Sequence, residues 1–520
     1  MMSPASQVPA FQAAAEAGAW LRACLGQHAN LTMDSRHVAR GDGFLAAPGL
    51  RVDGRQFVTD ALRRGAAAVL SQADEQDNSA AGTELPVPHR RLPDLARQAG
   101  EVAAAFYGNP SAAMQVLAVT GTNGKTSCAS WFADGAADAG APAAAIGTLG
   151  VVTYGTTAAA SLQADGVALT TPDAVSMQRV LAGLARQGVA TVALEASSIG
   201  LHQGRLAGVQ IDAAIFTNLT RDHLDYHGSF EQYQQAKAQL FQTPGLKIAI
   251  VNGDDPAAEA MLAAVEPGVR TIAYGSEPGR FGHQADEQVS ITAITANAAG
   301  MRLTLAGAFG PAQLQLNMIG RFNAFNAAAV WAAWCAFGVA PDQAAVRLGQ
   351  LASVPGRMQL VQQADAPLVV IDFAHTPDAL SAALQALTDQ AAARGGRLWC
   401  VFGCGGDRDP GKRPEMAAAA QAVADCLVLT SDNPRSEAPA TILQQMQAGL
   451  SAPAWLVEAD RRVAVTAAVQ AADANDIILV AGKGHENYQD INGVRTPFLD
   501  EAVATDALRA RAAARGGADV

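Results

Sequence analysis

The stretch Val116–Ser127 reads VLAVTGTNGKTS and runs from apolar residues into a glycine-containing loop and then into a helix-like segment. Backbone amides of such a loop and of a helix N-terminus converge on one point, where the ammonium of Lys125 adds positive charge. The hydroxyl of Thr126 is of the kind that ligates a Mg²⁺ ion bridging nucleotide phosphates. The pattern departs from the general G-x-x-x-x-G-K-[ST] loop, since Val119 stands where the first glycine belongs. The sequence therefore predicts a nucleotide phosphate site with magnesium, formed by Gly121, Thr122, Asn123, Gly124, Lys125 and Thr126.

Acidic and histidine side chains follow two further apolar stretches. Glu195 ends the stretch VALE, where the carboxyl end of a parallel strand would face a ligand crevice. Asp222, His223, Asp225 and His227 lie together in RDHLDYHG after another apolar run. Mg²⁺ prefers oxygen ligands, so Glu195 suits magnesium, and a histidine indicates a second, less demanding metal position. The alternative, in which these residues cap loops or are solvated charges, stays open at this point.

Lysine is scarce in this sequence. Of the 36 lysine and arginine residues, only five are lysines, at positions 125, 237, 247, 412 and 483. Arginine does not replace lysine at a compact phosphate site or as a nucleophilic amine. Since some of these lysines lie in glycine-rich or acidic motifs, we predict that an amine is needed there.

Short apolar runs alternating with helical patterns must position these groups. The predicted strands are 115–120, 189–195, 211–219 and 248–252, then 368–373, 398–403, 426–430 and 477–481. Strands separated by helices of this length predict mostly parallel sheets with helices on both faces. Breakers near residues 108–110 and 354–357 indicate domain boundaries. We therefore predict an α/β protein with domains at 1–110, 111–355 and 356–520.

Composition disfavours several classes of protein. A net charge of −12 argues against a nucleic-acid partner, and 50% apolar with 16% charged residues predicts a folded globular chain. No leader pattern is present, and the apolar run 327–340 is shorter than the roughly 18 residues of a membrane span, so it predicts a buried helix. Six cysteines without a Cys-x-x-Cys pair favour reduced thiols. We expect a cytoplasmic, monomeric protein without a membrane span.

Several separate motifs along nearly the whole chain resemble those of the Mur ligases, the ATP-dependent amide-bond-forming enzymes that build the peptidoglycan stem peptide. They are TGTNGKTS, LEASSIGL, TNLTRDHLDYHG, GRFNAFNAAA, DFAHTPDAL, GCGGDRDPGKRPEM, SDNPRSE and AGKGHENYQ. The last three resemble the branch that adds meso-2,6-diaminopimelate to UDP-N-acetylmuramoyl-L-alanyl-D-glutamate. The resemblance implies a substrate domain for the UDP end, a central P-loop-type ATPase domain and a C-terminal Rossmann-like domain that supplies the amino acid.

The resemblance also implies the roles of individual residues. It assigns Lys125 and Thr126 to ATP and Mg²⁺, Glu195 and His223 to the metal, and Lys237 to a carbamate that forms from CO₂ and acts as a further metal ligand. Further nucleotide contacts are implied at Asn323, Arg357, Asp372 and His375. The UDP-muramoyl dipeptide is expected at Ser35, Thr170, Thr171, Ser197, Gln203 and Arg205. The diaminopimelate pocket is expected at Arg408, Asp432, Asn433, Pro434, Arg435, Gly482 and Glu486.

The choice of amino acid is an electrostatic question. Diaminopimelate carries a carboxylate on its far end, which the planar fork of Arg435 can grip, while Glu486 can hold the distal ammonium. A ligase of the same family that adds L-lysine is the first alternative, and Arg435 speaks against it. A folylpolyglutamate-type ligase and a nucleotide-dependent switch that binds ATP without transferring phosphate are the others.

Overall fold

The computed structural model describes residues 10–49, 52–73, 85–137, 141–155, 169–276, 284–297 and 300–516. The chain forms two compact units. The first comprises Met1–Ser290, Gly307–Phe309 and Ala329–Val339, and the second comprises Ile291–Ala306, Gly310–Ala328 and Ala340–Val520. The predicted fold class is confirmed, because parallel sheets with helices recur along the chain. The domain limits at residues 110 and 355 stay a prediction.

The N-terminal part of the first unit is a small α/β layer. Its elements are α1 (Ala14–Cys24), β1 (Leu31–Thr32), β2 (Gly43–Ala46), α2 (Val58–Arg64), β3 (Ala68–Ala73), β4 (His89–Pro93) and α3 (Leu95–Tyr107). The four strands pair in parallel in the order β1-β2-β3-β4. Helix α3 ends at Gly108, whose φ of +81° suits a residue without a side chain. This is the breaker that the sequence indicated.

The rest of the first unit is built on a second parallel sheet. Its elements are β5 (Gln115–Thr120), α4 (Lys125–Ala137), β6 (Ala143–Gly147), β7 (Gly150–Tyr154), α5 (Ala174–Arg186), β8 (Thr191–Glu195), α6 (Ser198–His202), β9 (Ala213–Phe216), α7 (Leu224–His227), α8 (Phe230–Ala238), β10 (Ile248–Asn252), α9 (Ala258–Ala263) and β11 (Arg270–Gly275). The parallel order is β11-β10-β9-β5-β8-β6, and β7 runs antiparallel to β6. The carboxyl ends of β5, β8 and β9 therefore share one edge of the sheet.

The remaining elements begin with a β-strand that continues from the first unit into the second. They are β12 (Glu287–Asn297), β13 (Gly300–Gly307), β14 (Ala312–Leu316), α10 (Arg321–Ala336), α11 (Pro341–Gln350), β15 (Gln359–Val361), β16 (Leu368–Asp372), α12 (Pro377–Arg394), β17 (Leu398–Phe402), α13 (Lys412–Gln421), β18 (Cys426–Leu429), α14 (Pro439–Gln447), β19 (Leu456–Val457), α15 (Arg461–Ala471), β20 (Ile477–Ala481), β21 (Tyr488–Ile491), β22 (Val494–Pro497) and α16 (Asp500–Gly516). Helix α10 covers most of the predicted buried helix, and its Trp331 and Trp334 are buried.

A six-stranded sheet organises the C-terminal part of the second unit. The order is β15-β16-β20-β17-β18-β19, and only β15 runs antiparallel to its neighbour. Successive residues of each strand point to opposite faces of the sheet. Val370 and Leu479 therefore pack in one hydrophobic cluster, while Val369 and Ile478 pack in another. Helices thus cover both faces, and the strand ends carry the loops that hold the predicted amino-acid pocket. No helix in the described ranges is long and apolar enough to cross a membrane.

Candidate active site

The predicted phosphate loop connects the buried strand β5 to helix α4. Gly121 has φ +147° and Gly124 has φ +88°, conformations that L side chains rarely adopt. A Cβ on Gly121 would also clash with the hydroxyl of Thr217, at the end of β9. The turn is therefore narrow because it packs directly against the neighbouring strand end.

Asn218 fixes the shape of this loop from the next strand. The backbone amide of Thr122 donates to the Asn218 carbonyl at 2.8 Å, and the amide of Asn123 donates to its side-chain oxygen at 2.9 Å. The side-chain amide nitrogen of Asn218 in turn donates to the Asn123 carbonyl at 3.1 Å. The loop is thus held in place by the protein itself, and two of its amides are already engaged.

Two lysines converge on the loop. The Lys125 amine donates to the carbonyls of Gly121 at 2.9 Å and Thr122 at 2.8 Å, and the Lys237 amine donates to the same Gly121 carbonyl at 2.7 Å. Lys237 is buried, and its amine lies 4.5 Å from the centre of the Tyr233 ring. Burial, reinforced by the charge of Lys125, lowers the pKa of Lys237 well below its usual value. Burial and the neighbouring charge therefore both favour the neutral form of the Lys237 amine.

Glu195 lies at the end of β8 with its carboxylate fixed by Thr148, in the turn between β6 and β7. The Thr148 backbone N–H donates to Oε1 at 2.7 Å and its hydroxyl donates to Oε2 at 3.1 Å. Gly147 must be glycine, since a Cβ there would overlap Oε1. Thr126 and Glu195 line one small cavity together. A hydroxyl and a carboxylate at one cavity are hard oxygen donors, which fits a magnesium ion.

His223 precedes α7 with a left-handed backbone, φ +53°. Its Nε2 lies 3.5 Å from a carboxylate oxygen of Asp222, and its side chain is about half exposed. Burial lowers the pKa of His223, Asp222 opposes that shift, and the charges of Lys125 and Lys237 add to it. The structure therefore places His223 within electrostatic range of both lysines. Among the described residues, no group of three or more His, Cys, Asp or Glu side chains is arranged to hold a metal.

The other histidine of RDHLDYHG has a different environment. His227 is buried, and its Nε2 lies 3.0 Å from the hydroxyl of Ser198. Burial is the main cause that lowers the pKa of His227 to about 4. His227 is therefore neutral at physiological pH and packs as part of the fold.

Four of the predicted muramoyl-dipeptide residues form one hydrogen-bonded network. Thr171 is buried, and its hydroxyl lies 2.8 Å from both the Glu195 carbonyl and the hydroxyl of Ser197. Arg205 donates to the Thr171 carbonyl at 2.8 Å and, through Nη2, to the side-chain oxygen of Gln203 at 2.6 Å. The network therefore joins these residues to the backbone of the strand that carries Glu195.

The other two residues assigned to the muramoyl dipeptide lie apart from the core of this network. The hydroxyl of Thr170 lies 3.4 Å from that of Thr148. Ser35 is buried in the N-terminal layer, where its hydroxyl lowers the pKa of Asp60 through a hydrogen bond. Within the described ranges, Ser35 makes no hydrogen bond to the network around Thr171.

The remaining residues assigned to the nucleotide belong to the second unit. Asp372 ends β16 and accepts the backbone amides of Met358 and Ala374, each at 2.8 Å. Burial raises the pKa of Asp372, and the nearby charge of Arg357 opposes the rise. The structure thus brings Arg357 and Asp372 together.

His375 and Asn323 complete the set assigned to the nucleotide. His375 is exposed, and its Nδ1 lies 2.8 Å from the Phe373 carbonyl. The guanidinium of Arg357 lies 4.7 Å from the centre of the Phe373 ring. Asn323 is buried at the start of α10 and donates to the Ile319 carbonyl at 2.8 Å.

The predicted amino-acid pocket is assembled at the carboxyl ends of β17, β18 and β20. Arg435 adopts a left-handed backbone, φ +51°, which is strained for this residue type and common at functional sites. Its amide donates to the Asp490 carbonyl, and its own carbonyl accepts from Asn492. A Cβ on Gly405 would lie 3.0 Å from Nη1 of Arg435 and 3.7 Å from Cγ of Arg408. The two arginines therefore flank one glycine.

The pocket also requires a glycine beside its acidic residue. Gly482 follows β20 with φ +110°, and a Cβ there would lie 2.7 Å from Oδ2 of Asp432. Asn433 is buried, and its Nδ2 donates to Oε2 of Glu486 at 2.8 Å. The carbonyl of Pro434 lies against Gly406 with no room for a side chain there. All seven residues assigned to diaminopimelate thus lie on loops of one sheet edge.

Two residues that hold these groups were missed by the sequence reasoning. Thr148 orients Glu195, but a threonine in a turn after an alanine-rich strand gives no signal in the sequence. Lys483 donates to Asn433 at 3.0 Å and to Glu486 at 2.9 Å. Here a signal existed, because Lys483 is one of the five lysines and lies in the glycine-rich motif AGKGHE.

Models of three protein domains match the chain. They are the Mur ligase family catalytic domain at residues 28–107, the Mur ligase middle domain at 119–334 and the Mur ligase glutamate ligase domain at 356–484.

Relatives of known name match over almost the full length. The UDP-N-acetylmuramoyl-L-alanyl-D-glutamate–2,6-diaminopimelate ligase of Chromobacterium violaceum is 48% identical, covering 92% of this chain and 93% of the relative. The ligase of the same name from Janthinobacterium sp. (strain Marseille) is 44% identical, covering 95% and 96%. A solved structure of a ligase with this name is 36% identical, with TM-score 0.63 and coverage of 93% and 95%.

A more distant solved structure shares the fold alone. Folylpolyglutamate synthase of Mycobacterium tuberculosis, complexed with ADP and AMPPCP, is 20% identical to this chain. Its TM-score is 0.56, and the match covers 74% of this chain and 91% of that one.

Proposed function

Because this chain belongs to the Mur ligase family, we propose that it joins meso-2,6-diaminopimelate to UDP-N-acetylmuramoyl-L-alanyl-D-glutamate at the expense of ATP. The new amide bond forms at the γ-carboxylate of D-glutamate, in the synthesis of peptidoglycan precursors. The observation that carries the proposal is 43–48% identity over at least 92% of the chain to relatives named for this reaction. We also propose that the protein is cytoplasmic and monomeric. Light scattering of the purified protein tests the monomeric state.

The phosphate loop supports the ATP part of the proposal. Because Asn218 already engages the amides of Thr122 and Asn123, the phosphates would meet the N-terminus of α4 and the amine of Lys125. That amine now rests on two loop carbonyls, from which it can turn to a phosphate oxygen. The positive end of the helix and this charge together attract the polyphosphate.

Thr126, Glu195, His223 and a carbamate on Lys237 would hold magnesium, which would offset the charge of the reacting anions. Thr126 and Glu195 fit this function because they are oxygen donors that line one cavity. Lys237 fits because its lowered pKa favours the neutral amine that can react with CO₂. The carbamate would supply a further carboxylate-like group besides Glu195.

The reaction then needs two successive displacements. The γ-carboxylate of the substrate attacks the γ-phosphorus of ATP, the bond to ADP breaks, and an acyl phosphate forms. The deprotonated amine of diaminopimelate attacks the acyl carbon, and the tetrahedral intermediate expels phosphate. Lys125 would neutralise charge at the phosphorus in the first step.

The second unit supports the choice of diaminopimelate. Gly405 lies beside Nη1 of Arg435 and the side-chain stem of Arg408, and Nη1 of Arg435 donates to the Gly406 carbonyl. Both guanidinium groups would turn from the protein to the carboxylates of the amino acid. Glu486 would hold the distal ammonium. Charged hydrogen bonds of roughly 1.5–3 kcal/mol each would favour diaminopimelate over L-lysine by about ten- to several-hundred-fold.

The test is ATP-dependent phosphate release with the UDP-muramoyl dipeptide and either diaminopimelate or L-lysine, with the mass of the product measured. We expect the diaminopimelate product and a kcat/KM for L-lysine that is lower by about tenfold or more. Equal or greater activity with L-lysine would contradict the specificity. Phosphate release with a folate and glutamate instead would favour the folylpolyglutamate alternative.

A single substitution tests the guanidinium fork. Arg435→Lys keeps the charge but loses the paired hydrogen bonds, so kcat/KM for diaminopimelate should fall by roughly ten- to a hundredfold. The matched control is Arg302→Lys, at an exposed position of β13. If both variants behave like the original protein, Arg435 does not hold the substrate carboxylate.

A further inference from the structure

Lys483, whose side chain is fully buried, forms hydrogen bonds with two residues of the predicted amino-acid pocket. The side chain of Lys483 is 0% exposed, whereas that of Glu486, one turn further along the chain, is 22% exposed. The Lys483 amine donates to Oε2 of Glu486 at 2.9 Å and to Oδ1 of Asn433 at 3.0 Å. Its amine also lies 5.6 Å from the centre of the Tyr488 ring. A buried ion pair rarely exceeds an apolar pair in stability, so stability alone does not explain this lysine.

The hydrogen bonds of Asn433 define the direction of its amide. Its Oδ1 accepts from the Lys483 amine and from the backbone N–H of Asp490, both at 3.0 Å. Two donors on one atom identify that atom as the oxygen. The Nδ2 is therefore the atom that faces Glu486, to which it donates at 2.8 Å.

The carboxylate of Glu486 is held by one oxygen only. Oε2 accepts from both Lys483 and Asn433. Within the described part of the chain, no side-chain or backbone donor forms a hydrogen bond with Oε1. The Glu486 side chain is 22% exposed, and a carboxylate fixed through one oxygen keeps its second oxygen available for a ligand.

We propose that Lys483 is a positioning residue for the amino-acid substrate, which locks Glu486 and Asn433 so that Glu486 presents Oε1 to the distal ammonium of diaminopimelate. Lys483 itself does not touch the substrate, because it is fully buried. Its charge also offsets that of Glu486, which limits repulsion of a substrate that carries two carboxylates. The inference rests on the proposed function, since the pocket takes a diamino acid only in that reaction.

The first test is Lys483→Met, which keeps the apolar stem and removes the charge. We expect KM for diaminopimelate to rise roughly ten- to a hundredfold, while KM for ATP and for the UDP-muramoyl dipeptide stays within about twofold. Lys247→Met is the matched control, at a lysine whose side chain is 71% exposed. A Lys483→Met variant with unchanged KM for diaminopimelate would overturn the proposal, and so would an equal rise in all three KM values.

The second test uses an analogue of diaminopimelate that has hydrogen in place of the distal amine. The original protein should prefer diaminopimelate in kcat/KM, and Lys483→Met should reduce this preference to that of Glu486→Gln. A purely structural function of Lys483 would lower activity with both substrates and leave their ratio unchanged. An unchanged ratio in Lys483→Met therefore contradicts the positioning function.

A double variant covers the case in which Lys483→Met does not fold. Lys483→Met with Glu486→Gln removes both charges and leaves no buried carboxylate without a partner. Its KM for diaminopimelate should match that of Glu486→Gln alone, because Lys483 acts through Glu486. A KM for diaminopimelate in the double variant that combines the losses of the two single variants would refute this. If the original protein does not use diaminopimelate at all, the proposed function fails. If the original protein turns over diaminopimelate normally and Lys483→Met is unaffected, only the positioning function of Lys483 fails.

Discussion

Lys125 and Lys237 direct their amines at the same acceptor, the carbonyl oxygen of Gly121, at 2.9 and 2.7 Å. Two ammonium groups so close to each other repel, and only Lys237 is fully buried. Burial and this repulsion both lower the pKa of Lys237. Lys125 therefore suits the binding of an anion, and Lys237 suits a reaction at its nitrogen.

The first prediction concerns Lys237. Neither Lys237→Arg nor Lys237→Met can form a carbamate, so each should lose activity by about a hundredfold or more. Lys237→Met should keep the melting temperature or raise it, because an apolar side chain replaces a buried amine. Lys247→Arg, at an exposed lysine, is the control. Full activity of either Lys237 variant in bicarbonate-depleted buffer would show that no carbamate is needed.

The fold was largely predictable because buried parallel strands have a strong sequence pattern. The predicted strands 115–120, 248–252 and 477–481 match β5, β10 and β20 at both ends. Each is a run of apolar residues with almost no exposure, since helices cover both faces. The antiparallel strand β7 was not predicted, because GVVTY is partly exposed and not bounded by a helix pattern.

Most candidate residues were predicted because their residue types carry the chemistry, although Lys483 was missed in spite of such a signal. Thr148 was missed because its position alone matters. Lys125, Glu195 and Arg435 are recognisable because each is a charged residue in a distinct motif that follows or ends an apolar run. Thr148 acquires its function only when β6 lies beside β8, which brings the turn after β6 to Glu195. A contact between neighbouring strands that are far apart in sequence leaves no local signal.

The second prediction follows from that contact. Thr148→Val retains the backbone hydrogen bond to Glu195 but loses the hydroxyl on Oε2. We expect the Mg²⁺ concentration for half-maximal activity to rise about ten- to a hundredfold, the usual cost of losing a group that orients a metal ligand. Thr148→Ser retains the hydroxyl and should behave almost like the original protein. An unchanged Mg²⁺ requirement in Thr148→Val would mean that Glu195 does not act at the metal.

The third prediction concerns the glycine beside Asp432. Gly482→Ala combines an unfavourable φ of +110° with a Cβ 2.7 Å from the Asp432 carboxylate, which must then move. We expect KM for diaminopimelate to rise about tenfold or more, since a displaced group costs at least one charged hydrogen bond. Gly493→Ala is the matched control, with φ +77° and no atom within 4 Å of the new Cβ. It should lose some stability to backbone strain and retain its KM.

The fourth prediction concerns pH and the pair formed by Glu437 and Arg413. Hydrogen bonds from Arg413 are the main cause that lowers the pKa of Glu437 from 4.5 to about 2. A carboxyl with a lowered folded-state pKa stabilises the fold above about pH 4.5, and that contribution is lost as the pH falls towards 2. Glu437→Gln should therefore have a lower melting temperature than the original protein at pH 7.

The difference between Glu437→Gln and the original protein should shrink as melts are recorded from pH 4.5 to 3. Glu101→Gln, at an exposed glutamate of α3, is the control for general charge effects. A difference in melting temperature that stays constant over this pH range would show that the ion pair of Glu437 and Arg413 does not cause it. Arg413 has 1% side-chain exposure against 30% for Glu437, so loss of the glutamate leaves a buried charge.

The last prediction concerns the fully buried pair Arg461 and Asp500, whose side chains are both 0% exposed. Arg461 also donates to the carbonyls of Ser431 at 3.2 Å and Ala481 at 2.8 Å, which directly precede the pocket residues Asp432 and Gly482. Arg461→Met leaves a buried carboxylate unpaired and should cost about 3–5 kcal/mol of unfolding free energy, measured by urea denaturation.

Replacing both partners separates stability from positioning in this pair. Arg461→Met with Asp500→Leu removes both buried charges and should recover most of the lost stability. It does not restore the hydrogen bonds to the two strand-end carbonyls. KM for diaminopimelate should therefore be raised in both the single and the double variant, while KM for ATP should be unchanged in the double variant. If KM for diaminopimelate recovers together with stability, Arg461 serves the fold alone and the strand ends do not need it to shape the pocket.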